Sequence, residues 1–151
     1  MKKIFLNLIK RIRKFFFWLW EQEGSPSQRA VGFGLGVFSG CFPFFGFQTF
    51  IGIILAKIFK VNSVLAAVGT WISNPFTYVP LYFLNYRVGS FLLKTDNNIV
   101  DISHITTKDV WSQGWYFSSR LMTGSICVGL VSGVVCGICL YFSLKKLSNI
   151  I

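Results

Sequence analysis

Charged side chains are scarce in this chain: Asp, Glu, Lys and Arg together make up 13% of its 151 residues, about half the share of a water-soluble domain. Acids are scarcer still, five against fifteen basic residues, and all five lie in polar segments. With no carboxylate pair in the apolar parts, two-carboxylate acid–base chemistry has nothing to work with. His104 is the sole histidine. Asp101 stands three residues before it, but no serine or cysteine nucleophile joins them in a recognisable motif, so no hydrolytic site is expected. A phosphate loop is missing too, because Gly32-x-Gly34-x-Gly36 lies inside an apolar run with no Lys-Ser or Lys-Thr after it. The four cysteines include Cys136-x-x-Cys139 with Cys127 nearby, yet without histidine or acid partners they read as small packing residues rather than metal or redox groups. The sequence therefore predicts no enzyme, no cofactor and no metal.

What is present is hydrophobic, at 53% of residues, and it is sorted into blocks. Residues 30–56, 61–86 and 121–144 contain no charge at all, and each run exceeds the roughly 20 residues that cross a bilayer core. This pattern excludes a disordered chain, a disulfide-stapled secreted domain and an ordinary cytosolic enzyme. It predicts an all-α integral membrane protein, multi-pass and placed in the bacterial inner membrane. Three parts are expected: a basic amphipathic interfacial helix over 1–24, a membrane domain over 25–144, and a short tail over 145–151.

The net charge of +10 suggests nucleic acid at first sight, but seven of the basic residues precede the first apolar run and alternate with Ile, Leu, Phe and Trp. Such a segment reads as a membrane-surface patch, each Lys or Arg contributing about 1 kcal/mol against anionic headgroups. Lys10, Arg11, Arg13 and Lys14 are its core, and Arg87 is a further candidate for a lipid phosphate, or for snorkelling to the interface. No zinc spacing, RNA-reading aromatic motif or helix-turn-helix accompanies the charge, so no nucleic-acid partner is expected. The basic cluster interrupts the N-terminal apolar stretch, and no small-x-small site follows before Glu21. The segment is thus expected to be mature protein rather than a cleaved signal.

The interiors of the runs differ. The first is broken at Pro43 and Gly46, which suits two half-helices of about 12 residues, each roughly 18 Å long and too short to cross a core of about 30 Å. A hairpin that dips in and returns is expected there, with a single kinked span as the alternative. The second run is broken by Pro75 and Pro80 and is expected to form a second broken or re-entrant hairpin. Only the third reads as a plain transmembrane helix. Small residues recur there at Ser125, Gly129, Gly133 and Gly137, and in the first run at Gly32, Gly36 and Gly40. Stripes of this kind let helix backbones approach closely, so the two segments are expected to pack face to face. Between the second and third runs, residues 94–120 form a polar stretch, where Thr106 and Asp109 suggest a cap for a short interfacial helix carrying Trp111 and Trp115.

Taken together, Ser25-Pro26, Ala30-x-Gly32-x-Gly34-x-Gly36-Val37-Phe38, Pro43-Phe44-Phe45-Gly46-Phe47-Gln48-Thr49, Asn62, Trp71-Ile72-Ser73-Asn74-Pro75-x-Thr77 and Pro80-Leu81-Tyr82 resemble the bacterial membrane family known as domain of unknown function 2062. The resemblance runs from about Ser25 to Leu144. It implies an integral membrane protein without an assigned activity, and some relatives are joined to glycosyltransferase-type domains, which implies envelope lipids or glycans as the setting.

Polar groups inside an apolar run are costly unless paired. Gln48, Thr49, Asn74 and Thr77 cluster at the two breaks and are the candidates for binding a substrate or ion. The alternative is that they cap their own half-helices and bond to each other. The function predicted is a transporter or handler of lipid or small solute with its site at the hairpin tips. A non-catalytic scaffold or assembly protein, binding partner helices through its glycine faces, is the other reading. Anionic lipids, and either further copies of the chain or a partner membrane protein, are the expected partners.

Overall fold

A computed structural model describes residues 14, 18, 21–94 and 107–148, with side chains from 114 to 146 in the last segment. Among the described residues the chain is all-helical, without strands: α1 (Pro26–Gly40), α2 (Phe47–Ile58), α3 (Ser63–Gly69) continued by a 3-10 turn (Thr70–Ile72), α4 (Tyr78–Leu92) and α5 (Thr107–Ser148).

Local chemistry sets most of the boundaries. Ser25 and Gln28 close a reciprocal capping box ahead of α1, with Pro26 opening the helix, where a missing N–H costs nothing. After α1 the chain turns through Pro43 to Gly46, whose φ of 83° lies in the left-handed region that favours glycine. Asn62 caps α3 by accepting from the Leu65 amide at 2.8 Å, and it donates to the Glu23 carbonyl at 2.8 Å. One amide side chain thus starts a helix and ties it to the approach of α1. Pro80 falls in the first turn of α4. It opens that helix, and the break itself belongs to Ser73–Thr77.

α1 and α2 pack as a hairpin, and α3 with its 3-10 turn lies against both. The spine is α5, 42 residues or about 63 Å long. α1 lies antiparallel along its C-terminal half, Ala30 facing Gly137, Gly34 facing Gly133 and Phe38 facing Gly129. α4 lies antiparallel along its N-terminal half, Asn85 against Gly124 and Ser125, Gly89 against the Arg120 carbonyl.

Three expectations change. First, α1 does pack on the last helix, but through Gly34, Gly133 and Gly137, while Gly32, Gly36 and Gly40 face Asn62, Ala66 and Thr70. The residues between the members of a period-four stripe form a second small-residue face, and each face takes its own partner. Second, the break at Ser73–Thr77 makes a corner instead of a hairpin. α3 buries its Ala and Gly face on α1, whereas α4 finds its close contacts on α5. Third, from Thr107 onward the polar stretch belongs to α5 itself rather than to a separate interfacial helix. The expected cap at Thr106 lies outside the described residues.

The interior is built of small and polar groups. Ser39, Gln48, Thr70, Ser73, Asn85 and Ser125 are buried, and the buried apolar residues are mainly small or medium: Ala30, Val37, Cys41, Ala56, Leu65, Ala66, Leu121 and Leu144. The large side chains point outward, Phe76 at 93% exposure and Phe47, Trp71, Val79 and Phe91 all above 70%. Among the described residues one helix, over Gly114–Lys146, is long and apolar enough to cross a membrane.

Candidate functional site

The two breaks meet at a polar knot. Gly46 delivers Gln48 into the first turn of α2, where its side chain is 5% exposed and its Nε2 donates to Ser73 Oγ at 2.7 Å. Ser73 in turn donates to the Thr70 carbonyl at 3.1 Å. On the next residue of α2, Thr49 Oγ1 lies 3.1 Å from Thr70 Oγ1, which also reaches the Ala67 carbonyl at 2.7 Å. The knot is crowded beneath: a Cβ on Gly52 would stand 2.7 Å from Ser39 Oγ and 3.2 Å from Thr70 Cγ2. Small residues at positions 39 and 52 are therefore what lets α1, α2 and the 3-10 turn close together.

Asn74 and Thr77 serve the corner. Asn74 Oδ1 accepts from the amides of Phe76 (3.0 Å) and Thr77 (3.2 Å), and the Asn74 amide donates to Thr77 Oγ1 at 2.9 Å. Thr77 Oγ1 returns a bond to the Ile72 carbonyl at 2.6 Å. This is the self-capping arrangement that Asn and Thr make in turns. The structure thus joins Gln48 and Thr49 to the 70–73 segment and keeps Asn74 and Thr77 occupied with their own backbone. Pro43, Gly46 and Pro75 lie in the two turns.

A second polar centre escaped the sequence reading. Asn85 is fully buried on α4, and its Nδ2 donates to the Cys41 carbonyl at 2.8 Å and to Ser125 Oγ at 2.9 Å. It links the end of α1, α4 and α5 through a single amide. Tyr82, one turn earlier, donates to the Phe42 carbonyl at 3.3 Å, and its ring packs with Tyr78 and Phe45. The signal was available, since Asn85 is the one amide inside the apolar stretch 81–93. Ser39, Thr70 and Ser125 gave no comparable signal, because small hydroxyl residues are ordinary inside helices.

Among the described residues, two buried amide oxygens stay without a protein donor, Gln48 Oε1 and Asn85 Oδ1. Each is the back of an amide whose NH2 is already engaged, so both amides are held in one orientation with an oxygen left available. Further along α4, Arg120 Nη1 donates to Tyr86 Oη at 2.8 Å, and the Tyr86 ring stacks on Phe117.

Of the expected lipid-binding residues, Arg87 is exposed and lies 5.9 Å over the Phe83 ring, away from the knot. Lys14 is helical and exposed, while Lys10, Arg11 and Arg13 lie outside the described residues. The cysteines are unpaired, Cys41 buried at the end of α1 and Cys139 exposed. Among the described residues no group of three His, Cys, Asp or Glu side chains comes together.

A family profile described as an uncharacterized protein conserved in bacteria (DUF2062) matches residues 9–150. No curated protein and no solved structure matches the chain.

Proposed function

The chain belongs to this bacterial family, and from that premise we propose that it is a multi-pass protein of the bacterial inner membrane that handles lipid, without catalysis or cofactor. The observation that carries this reading is the inverted distribution of side chains. Six polar residues are buried among glycine and alanine, while phenylalanine, tryptophan and branched aliphatic residues cover the outside. In water such a surface would be a large aggregation hazard. In hydrocarbon it is the stable arrangement, because the solvent is apolar and each buried polar group must find a partner within the protein. α5 is the plain span of this reading, and α1 with α2 the hairpin that enters and returns.

The tips are where lipid handling would differ from simple anchoring. Gln48 carries a buried oxygen without a donor beside a break, and a local opening of the knot would present it to an amphiphile on the exposed rings of Phe45 and Phe47. Reconstitution into vesicles tests it. Gln48→Leu and Asn74→Leu should slow lipid movement while the protein stays assembled. Unchanged movement with assembly intact would sink the handling role.

The scaffold reading is favoured by a different observation, the mutual bonding of Gln48 with Ser73 and of Thr49 with Thr70. A knot that satisfies itself works as a lock. On this reading the same two variants lose folding, and the partner is a second copy of the chain or another membrane helix. A chain of this length can hardly enclose a pathway alone, so a strictly monomeric protein in a bilayer argues against any pore.

A further inference from the structure

An apolar groove of about 820 Å³ runs between α1, α2 and α5, within the range of sites that hold small ligands. Ala30 and Gly34 form its floor, Leu55 and Phe59 one wall, Val134 and Tyr141 the other. The floor is low because α1 and α5 meet there through glycine: a Cβ on Gly34 would stand 2.7 Å from the Gly133 carbonyl. Along α1 the groove extends from Ser27 to Phe38, about 16 Å of helix. That is close to the depth of one leaflet, half of a hydrocarbon core of about 30 Å.

Its two ends are chemically unlike. The deep end stops at Phe38, near the tip of the α1–α2 hairpin. The other end opens where α1 begins, α2 ends and α5 ends, and the lysines gather there. Lys60 directly follows the wall residue Phe59, Lys145 Nζ sits 6.0 Å over the ring of Tyr141, and Lys57 stands at the same end but half a turn from Leu55 and Phe59, on the far side of α2. With Lys146 they outnumber the two described acids at this end, Glu21 and Glu23, by two to one.

We infer that this groove holds one acyl chain of an anionic phospholipid, its phosphate at the end marked by Lys60 and Lys145. The inference rests on the membrane reading above and adds a site to it. A neutral chain-bearing molecule would fill the apolar part but leave the lysine end unmatched. A protein helix, about 10 Å across with its side chains, would have to end abruptly at those lysines. A phospholipid fits both parts at once, and its orientation follows: the headgroup lies at the end where α1 begins.

The test uses the full chain in phosphatidylcholine vesicles containing spin-labelled phosphatidylglycerol or, separately, spin-labelled phosphatidylcholine. The wild-type protein should give a motionally restricted component larger for phosphatidylglycerol. Val134→Trp, which fills the groove from an exposed position, should remove that component. Val31→Trp does the same from α1, in case the first variant fails to fold. Lys60→Gln and Lys145→Gln remove charge at exposed positions and should each lower the preference by up to about fivefold. Equal restriction of the two lipids overturns the proposal, as does a restricted component unchanged by both tryptophans. A cysteine at Val134 that cross-links to a second copy in high yield overturns it too, since a protein helix then fills the groove. An alkaline wash separates the failures. If the chain leaves the membrane, the membrane reading falls, and if it stays while the tryptophans change nothing, only the groove does.

Discussion

Asn85 is the side chain on which three helices converge, and its replacement should be costly for a definite reason. Asn85→Leu keeps the volume but strips the donors from the Cys41 carbonyl and Ser125 Oγ. It leaves a buried carbonyl unpaired, so a loss of about 1–3 kcal/mol is expected on thermal unfolding in detergent. Ser125→Ala removes one acceptor and should cost no more than about 1 kcal/mol. Glycines give a sharper contrast. A Cβ on Gly124 would run into the Asn85 carbonyl, whereas one on Gly114 meets nothing within 4 Å. Gly124→Ala is therefore expected to force α4 off α5 and lower stability by about 1–3 kcal/mol. Gly114→Ala should leave the midpoint unchanged or slightly raised. Gln48 was legible in the sequence because it is an amide beside a proline break in an uncharged run. Ser73, its partner, is 25 positions away, and no local spacing encodes that pairing. Asn85 offered the same kind of signal, but its partners Cys41 and Ser125 lie 44 and 40 positions away on either side, and no local spacing encodes them.

Helices were easier to read than the way they associate. The breaks fell where Pro43, Gly46 and Pro75 marked them, because those residues act on their own backbone, while Pro80 opens α4 instead of breaking it. Whether a break folds back or turns a corner depends on where each following helix finds small residues to pack on. The first break returns α2 along α1, and the second sends α4 to a segment of α5 some forty residues later. The stripe of Gly32, Gly36 and Gly40 shows the limit well: its spacing announced a close contact, and nothing in it distinguished α3 from α5. Two substitutions check the turn chemistry. Gly46→Ala meets no atom within 4 Å but must hold a φ of 83°, so a cost of about 1–2 kcal/mol is expected from backbone strain alone. Pro80→Ala lies exposed in the first turn of α4 and should shift the unfolding midpoint by no more than about 0.5 kcal/mol. A Gly46→Ala variant as stable as wild type would show that the turn has another conformation.

For the whole molecule, the antiparallel run of α1 along α5 bears on a difficulty that charge counting raises for the proposed membrane placement. If only α5 crossed and residues 94–120 lay on the basic side, Lys145 and Lys146 would end up across from the other basic residues. Ala30 faces Gly137, so the end of α5 lies beside the start of α1, and in the membrane placement proposed above its lysines fall on the side of Lys57 and Lys60, as the positive-inside tendency favours. Single cysteines at Lys60 and Lys146, in a background lacking the four native cysteines, should label from one side of the membrane and a cysteine at Lys94 from the other. Labelling of Lys60 and Lys146 from opposite sides would refute this topology. The shared spine also bears on biogenesis. α1, α2 and α3 have one another as soon as they are made, but the main partner of α4 is α5, which leaves the ribosome later. At about 5–20 residues per second, the Asn85 and Gly89 face of α4 waits seconds for its mate. In that interval a nascent chain has the Asn85 amide, fully buried in the finished fold, open to whatever insertion factor or chaperone stands beside it.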